Sequence, residues 1–160
     1  CISTADCIPV LLYDRQRRIV AAVHAGWRGT VNRILAKTLH RMQSAYGTEG
    51  TDIIACIGPG ISLDSFEVGD EVYEAFRTEN FPMEYISVWK PETHKYHIDL
   101  WAANRLQLSD FGVPPRQIEN AGICTYRQHE DFFSARRLGI KSGRILSGIM
   151  LNRQEKEERK

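Results

Sequence analysis

The sequence predicts an α+β sandwich, a mixed β-sheet flanked by helices. Three observations carry that prediction. Apolar runs of strand length alternate along the 160 residues with longer stretches at helical spacing. A β-hairpin stands near the start. Two amphipathic segments each run into a glycine, the usual helix stop. The hairpin arms are Ile8–Asp14 and Arg18–His24, joined by the polar stretch Arg15, Gln16 and Arg17. Val31–Tyr46 places Val31, Ile34, Leu35, Leu39, Met42 and Tyr46 on one helical stripe, with Thr30 as the expected N-cap and Gly47 as the stop. Asp52–Gly58 is a short apolar strand closed by the turn Gly58-Pro59-Gly60. Val68–Phe76 reads as a helix with Val72, Tyr73 and Phe76 inward, and Tyr85–Trp89 as a strand between Pro82 and Pro91. Ile98–Phe111 is the second amphipathic helix, with Asp99 placed to cap it, Gly112 after it and Pro114-Pro115 enforcing the break. Ala121–Tyr126 and Arg144–Leu151 read as strands. One domain is expected over residues 1–151, followed by a charged, frayed or disordered tail over 152–160.

Composition narrows the function. A hydrophobic share of 42% is ordinary for a folded domain, and the net charge of +1 comes from interspersed acids and bases. Nothing in that balance suggests a nucleic-acid or membrane surface; Arg15, Arg17 and Arg18 cluster only at a hairpin tip. No apolar run is long enough to span a bilayer. The four cysteines show no C-x-x-C spacing, which fits a reduced, cytoplasmic protein.

The chemistry concentrates at Cys7 and His24. With the hairpin loop centred between Arg15 and Gln16, facing positions sum to 31 and Cys7 stands directly opposite His24, on one face. Opposed Cβ atoms lie roughly 4.5–5.5 Å apart, so thiolate and imidazole can meet one metal ion or each other. Loops of two or four residues keep the pair on one face, and loops of three or five separate it. Arg-Gln is a poor two-residue turn, which favours four. The run His24-Ala25-Gly26-Trp27-Arg28-Gly29-Thr30 follows. Its glycines permit close backbone approach, and a helix starting at its end would aim free N–H groups, with Arg28, at an anion. The same run also reads as a plain strand-to-helix turn with Trp27 in the core.

Thr4-Ala5-Asp6-Cys7-Ile8-Pro9-Val10-Leu11 and Ala22-Val23-His24-Ala25-Gly26-Trp27-Arg28-Gly29 resemble the YfiH family, also called the laccase-domain or polyphenol-oxidoreductase-like family. The resemblance continues through Ile57-Gly58-Pro59-Gly60-Ile61-Ser62, Phe66-Glu67-Val68-Gly69, Asp99-Leu100-Trp101, Cys124-Thr125-Tyr126, Phe132-Phe133-Ser134-Ala135-Arg136-Arg137 and Gly143-Arg144. It implies a fold related to a bacterial toxin cysteine hydrolase. It also implies a zinc-dependent enzyme acting on purine nucleosides: phosphorolysis of adenosine, inosine and methylthioadenosine, and deamination of adenosine. The family's zinc is held by an N-terminal histidine, the cysteine of Ala-Asp-Cys and the histidine of His-Ala-Gly-Trp. Cys7 and His24 match the last two. Only six residues precede Cys7, so the first histidine is absent from this chain, which reads as the C-terminal portion of a longer protein with impaired metal binding. Cys7, His24 and Arg28 are then the expected catalytic groups, and Arg28 with Arg136 the phosphate ligands. The expected partners are small nucleosides and phosphate.

Two other chemistries compete. A metal-free cysteine hydrolase or amidase would use Cys7 as nucleophile and His24 as base. A copper-dependent polyphenol oxidase would need clustered His-x-His and His-Cys-His motifs, which the sequence lacks. The usual nucleobase-deaminase signature is also absent. Elsewhere, Cys124 reads as a buried thiol, His40 and His129 as surface, and His94 and His97 as a loop pair too sparse for a metal site. Asp6 reads as a turn-orienting residue. Trp27, Phe132 and Phe133 are candidates for an aromatic wall against a purine.

Overall fold

The computed structural model describes residues 1–152; all but the first residue of the charged tail expected over 152–160 lies outside them. It is a mixed α+β structure, as the alternating pattern predicts. Among the described residues nine strands run in chain order: β1 (Ile2–Thr4), β2 (Ile8–Asp14), β3 (Ile19–Ala25), β4 (Ile53–Ile57), β5 (Glu67–Val68), β6 (Ser87–Lys90), β7 (Lys95–Ile98), β8 (Ile118–Asn120) and β9 (Ile145–Ser147). Six α-helices accompany them: α1 (Trp27–Val31), α2 (Ile34–Tyr46), α3 (Asp70–Thr78), α4 (Met83–Ile86), α5 (Leu100–Asp110) and α6 (Ala135–Leu138). No helix among the described residues is long and apolar enough to cross a membrane.

The central sheet has the order β3-β2-β4-β8, antiparallel except for β4 with β8. Its inner face carries Ile8, Val10, Leu12, Val23, Ala25, Ile53, Ala55 and Ile57, all buried against the helices. The opposite face carries Leu11, Tyr13, Val20, Ile54 and Cys56, with Ile54 and Cys56 exposed. β5-β7-β6 form a second small sheet, and β1 pairs with β9.

The hairpin loop has four residues, but it is centred one position later than the sequence suggested. Ile8 faces Ala25, Pro9 faces His24 and Asp14 faces Ile19. The reason is Asp14: its buried carboxylate accepts the backbone N–H groups of Gln16 at 2.9 Å and Arg17 at 2.8 Å. That turn begins at Asp14, and Arg18 completes it in the left-handed region at φ 54°. Cys7 therefore lies opposite Gly26 instead of His24. Shifting the sum of facing positions by two preserves sidedness, so Cys7 and His24 remain on one face.

The expected helix from Val31 to Tyr46 is broken. α1 begins at Trp27 after Gly26, so Thr30 is helical and does not cap α2. The chain then reverses at Arg33, φ 57°. Polar side chains of α5 satisfy the groups this break frees. Asn104 Nδ2 donates to Thr30 Oγ1 at 3.2 Å, Gln107 Nε2 donates to the Thr30 carbonyl at 3.3 Å, and Gln107 Oε1 accepts from Ala36 N at 3.2 Å. Asp99 caps α5 as expected, accepting from Ala102 N at 2.9 Å. Several strands differ from expectation: β1 and β5 are additional, and the expected strand Arg144–Leu151 is confined to Ile145–Ser147. β6 starts only at Ser87 because Met83–Ile86 is helical, and His97 lies in a strand, β7, instead of a loop. The expected strand Ala121–Tyr126 is replaced by β8 just upstream and a single bridge from Gly60 to Cys124.

One glycine is fixed by contact. A Cβ on Gly50 would lie 2.5 Å from the Gly112 carbonyl carbon and 2.6 Å from the Phe111 oxygen. These are backbone atoms with little room to yield. Gly50→Ala is expected to cost roughly 1–3 kcal/mol, read as a lowered urea midpoint at unchanged slope.

Candidate active site

Cys7, His24, Gly26, Trp27, Arg28 and Gly29 line one open pocket of about 340 Å³. Three of the four residues singled out from sequence thus meet in one place, on the outward side of the β2–β3 hairpin. A Cβ built on Gly26 would stand 2.8 Å from Cys7 Sγ and 3.8 Å from His24 Nε2. Both donors therefore converge on the space that this glycine leaves empty. They lie no farther apart than those two distances combined. Gly26 has φ −70° and ψ 170°, ordinary extended angles. It is needed there for the absence of a side chain, not for conformational freedom.

Asp6 aims Cys7. It sits at φ 78°, nine-tenths buried. Its carboxylate accepts the Thr125 hydroxyl at 2.7 Å through Oδ1 and the Arg136 backbone N–H at 2.7 Å through Oδ2. The turn between β1 and β2 is thereby pinned to the segment between Cys124 and α6. Burial, with the Asp6 charge adding to it, pushes the Cys7 thiol above its usual range, and the Arg144 guanidinium pulls the other way. Iodoacetamide is accordingly expected to modify Cys7 more slowly than exposed Cys1 near neutral pH, the gap closing as the solution becomes alkaline. Peptide mapping after a short pulse reads both sites, and equal rates at neutral pH would contradict the burial argument.

Arg28 is exposed and rests on the Trp27 ring, its Cζ 4.4 Å from the centroid. α1 has only five residues, so the long helix N-terminus expected here gives way to a short turn with a correspondingly small dipole. Arg28 brings a positive charge to the pocket lining, and the Arg144 guanidinium acts on Cys7 as well. Arg136 does not join them. Its side chain lines two neighbouring cavities, one of about 490 Å³ shared with Asp6, Trp27, Ile61, Phe66, Ala135 and Ile140, the other a polar cleft of about 270 Å³ with Glu67 and His97. Trp27 is the common wall between the first of these and the Cys7 pocket.

The remaining candidates separate. Cys124 is buried as expected. Burial raises its thiol, but hydrogen bonds with Ser62 and Ser65 outweigh that and lower it overall. His97 is buried, with Nδ1 2.9 Å from the Leu63 carbonyl. Phe133 packs over Gly143, where a Cβ would meet its ring at 2.5 Å, and its other side is exposed; it lines neither the Cys7 pocket nor the cavity beside it. Sequence reading passed over Phe66 as a wall and Arg144 as a charge beside Cys7. Phe66 signals nothing by spacing, and Arg144 is 137 positions from the thiol it faces.

A cysteine and a histidine share a glycine-lined pocket at the open end of the hairpin. Residues 1–152 match the family described as multi-copper polyphenol oxidoreductase laccase, and the chain belongs to that family. A Bacteroides thetaiotaomicron protein named purine nucleoside phosphorylase is 64% identical over 153 residues, covering 96% of this chain and 57% of that protein. One from an unknown prokaryote, named adenosine deaminase RL5, is 51% identical over 92% of this chain and 56% of its own length. The solved structure of the Bacillus licheniformis hypothetical protein YfiH superposes with a TM-score of 0.81 at 35% identity, over 89% of this chain and 53% of that one. The chain thus spans a little over half the length of the relatives it matches.

Proposed function

We propose that this chain carries the larger part of the active site of a purine nucleoside enzyme, one that cleaves adenosine, inosine or methylthioadenosine with phosphate and deaminates adenosine. The convergence of Cys7 Sγ and His24 Nε2 on the empty side of Gly26 is the observation that carries the reading. A soft thiolate and an imidazole around a vacant cradle suit zinc. They supply two of its donors: among the described residues no group of three or more His, Cys, Asp or Glu could hold a metal. Both donors stand on the outward face of the sheet, so a third would arrive over that face. When bound, zinc supplies Lewis acidity and a water of lowered pKa.

The chain's own residues account for the rest. Asp6 fixes the Cys7 turn through its two carboxylate hydrogen bonds. Arg28, braced on Trp27, offers a charged fork to a phosphate entering from solvent. Phosphate held there neutralises positive charge developing on the sugar as the base departs. The names of the relatives, phosphorylase and deaminase, fit this division.

The metal-free hydrolase reading is weaker. A nucleophilic cysteine needs its thiol pulled down, whereas Cys7 is pushed up. Copper chemistry of the multicopper kind lacks its clustered histidine motifs in this sequence.

Zinc titration tests the reading. The isolated chain is expected to bind zinc weakly, because two donors leave the tetrahedron half open. Calorimetry showing tight one-to-one binding would contradict this. In an enzyme assembled with a third donor, Cys7→Ala is expected to remove both zinc and turnover while the fold is retained.

A further inference from the structure

Thr30 closes the turn that carries Gly26, Trp27 and Arg28, its backbone N–H donating to the Gly26 carbonyl at 2.8 Å. That turn needs outside support. α1 has five residues and no side-chain cap, and so short a helix gains little from its own hydrogen bonds. The support comes through the Thr30 hydroxyl, which is fully buried and works in both directions. It donates to the Ala25 carbonyl at 3.4 Å and accepts from Asn104 Nδ2 at 3.2 Å. The Ala25 carbonyl belongs to the peptide that joins Ala25 to Gly26, between His24 and the glycine that makes the cradle. A two-step relay thus runs from α5 to the backbone of the candidate site.

Asn104 is itself held. Its second Nδ2 hydrogen goes to the Leu100 carbonyl at 2.8 Å. A carbonyl can only accept, so the amide cannot be turned over. Asn104 is completely buried, and its α5 neighbours Leu100, Ala103 and Leu108 are buried apolar residues. A polar side chain in such company calls for a reason. Among the described residues its one hydrogen bond beyond α5 is the bond to Thr30.

We propose that Asn104 is a positioning residue of the candidate active site. Through Thr30 it fixes the Ala25–Gly26 peptide, and so sets the separation of His24 from Cys7 across the cradle. It touches neither metal nor nucleoside. This rests on the zinc reading above and extends it to a residue on a different helix.

The test is a titration of the isotopically labelled chain with zinc alone, followed by NMR at Cys7, His24 and Gly26. Thr30→Val keeps the shape and removes the hydroxyl, Thr30→Ser keeps the hydroxyl, and Asn104→Leu removes the amide. Zinc affinity is expected to fall about tenfold in Thr30→Val and in Asn104→Leu, the lower end of what outer partners of a metal site contribute. Thr30→Ser should retain the affinity of the unsubstituted chain. The double variant Asn104→Leu/Thr30→Val should lose no more than either single one, because both break the same relay. Circular dichroism and thermal melting establish which variants fold; if Asn104→Leu does not, Thr30→Val against Thr30→Ser decides. Unchanged zinc affinity in folded Thr30→Val, an equal loss in Thr30→Ser, or additive losses in the double variant overturns the positioning role and leaves the zinc reading standing. No zinc response at Cys7 or His24 in the unsubstituted chain overturns both.

Discussion

Replacing Asp6 with alanine is expected to destabilise the chain by roughly 3–5 kcal/mol, since hydrogen bonds to a carboxylate contribute about 1.5–3 kcal/mol each and two are lost together. The two bonds, to Thr125 Oγ1 and Arg136 N, are both 2.7 Å and belong to a side chain nine-tenths buried. Alanine also leaves both donors without a partner, and it tolerates the φ of 78° less well than aspartate does. The loss is read as a lowered urea midpoint. Asp6→Asn provides the comparison. Asparagine accepts through one oxygen only and tolerates positive φ, so about half the loss should return. An alanine variant as stable as the parent would mean that the Cys7 turn is held by something other than this carboxylate.

The second large effect falls on chemistry instead of stability. Gly26→Ala is expected to leave the fold intact, because Gly26 has extended angles that alanine adopts freely. Its methyl group, however, would stand 2.8 Å from Cys7 Sγ and 3.8 Å from His24 Nε2, between the two donors. On the proposed nucleoside reading, turnover should fall by on the order of a hundredfold or more, the penalty for displacing reacting groups by about an ångström. Circular dichroism and thermal melting check that the fold is retained, and nucleoside turnover gives the loss. Unchanged turnover in a folded Gly26→Ala enzyme would remove the cradle from the mechanism.

Much of this site was legible in the sequence because sidedness in a hairpin depends on parity, not on the exact loop centre. The shift imposed by the Asp14 side chain moved Cys7 from opposite His24 to opposite Gly26 and still left both on one face. The helix break at Arg33 was not legible. Its apolar stripe continues through the break, and the compensating groups, Asn104 and Gln107, lie on another helix some seventy positions away. The same applies to Asp6 and Arg136. Each is an ordinary polar residue in its own neighbourhood, and only the tertiary fold brings the carboxylate to the backbone that receives it. Arg28 and Arg136 both belong to recognisable motifs. Motif membership alone did not reveal that Trp27 stands between their pockets.

The pairing of β1 with β9, residue 2 against residue 147, has a consequence for biosynthesis. A polypeptide emerges from the ribosome amino end first, and contacts this distant in sequence are the last to close. The strand leading into the Cys7 turn cannot find its partner until β9 has been translated. Until then the segment on the β1 side of the Cys7 turn lacks its strand partner. The Cys7 turn is therefore completed late in folding, and reducing conditions during synthesis are expected to protect its thiol.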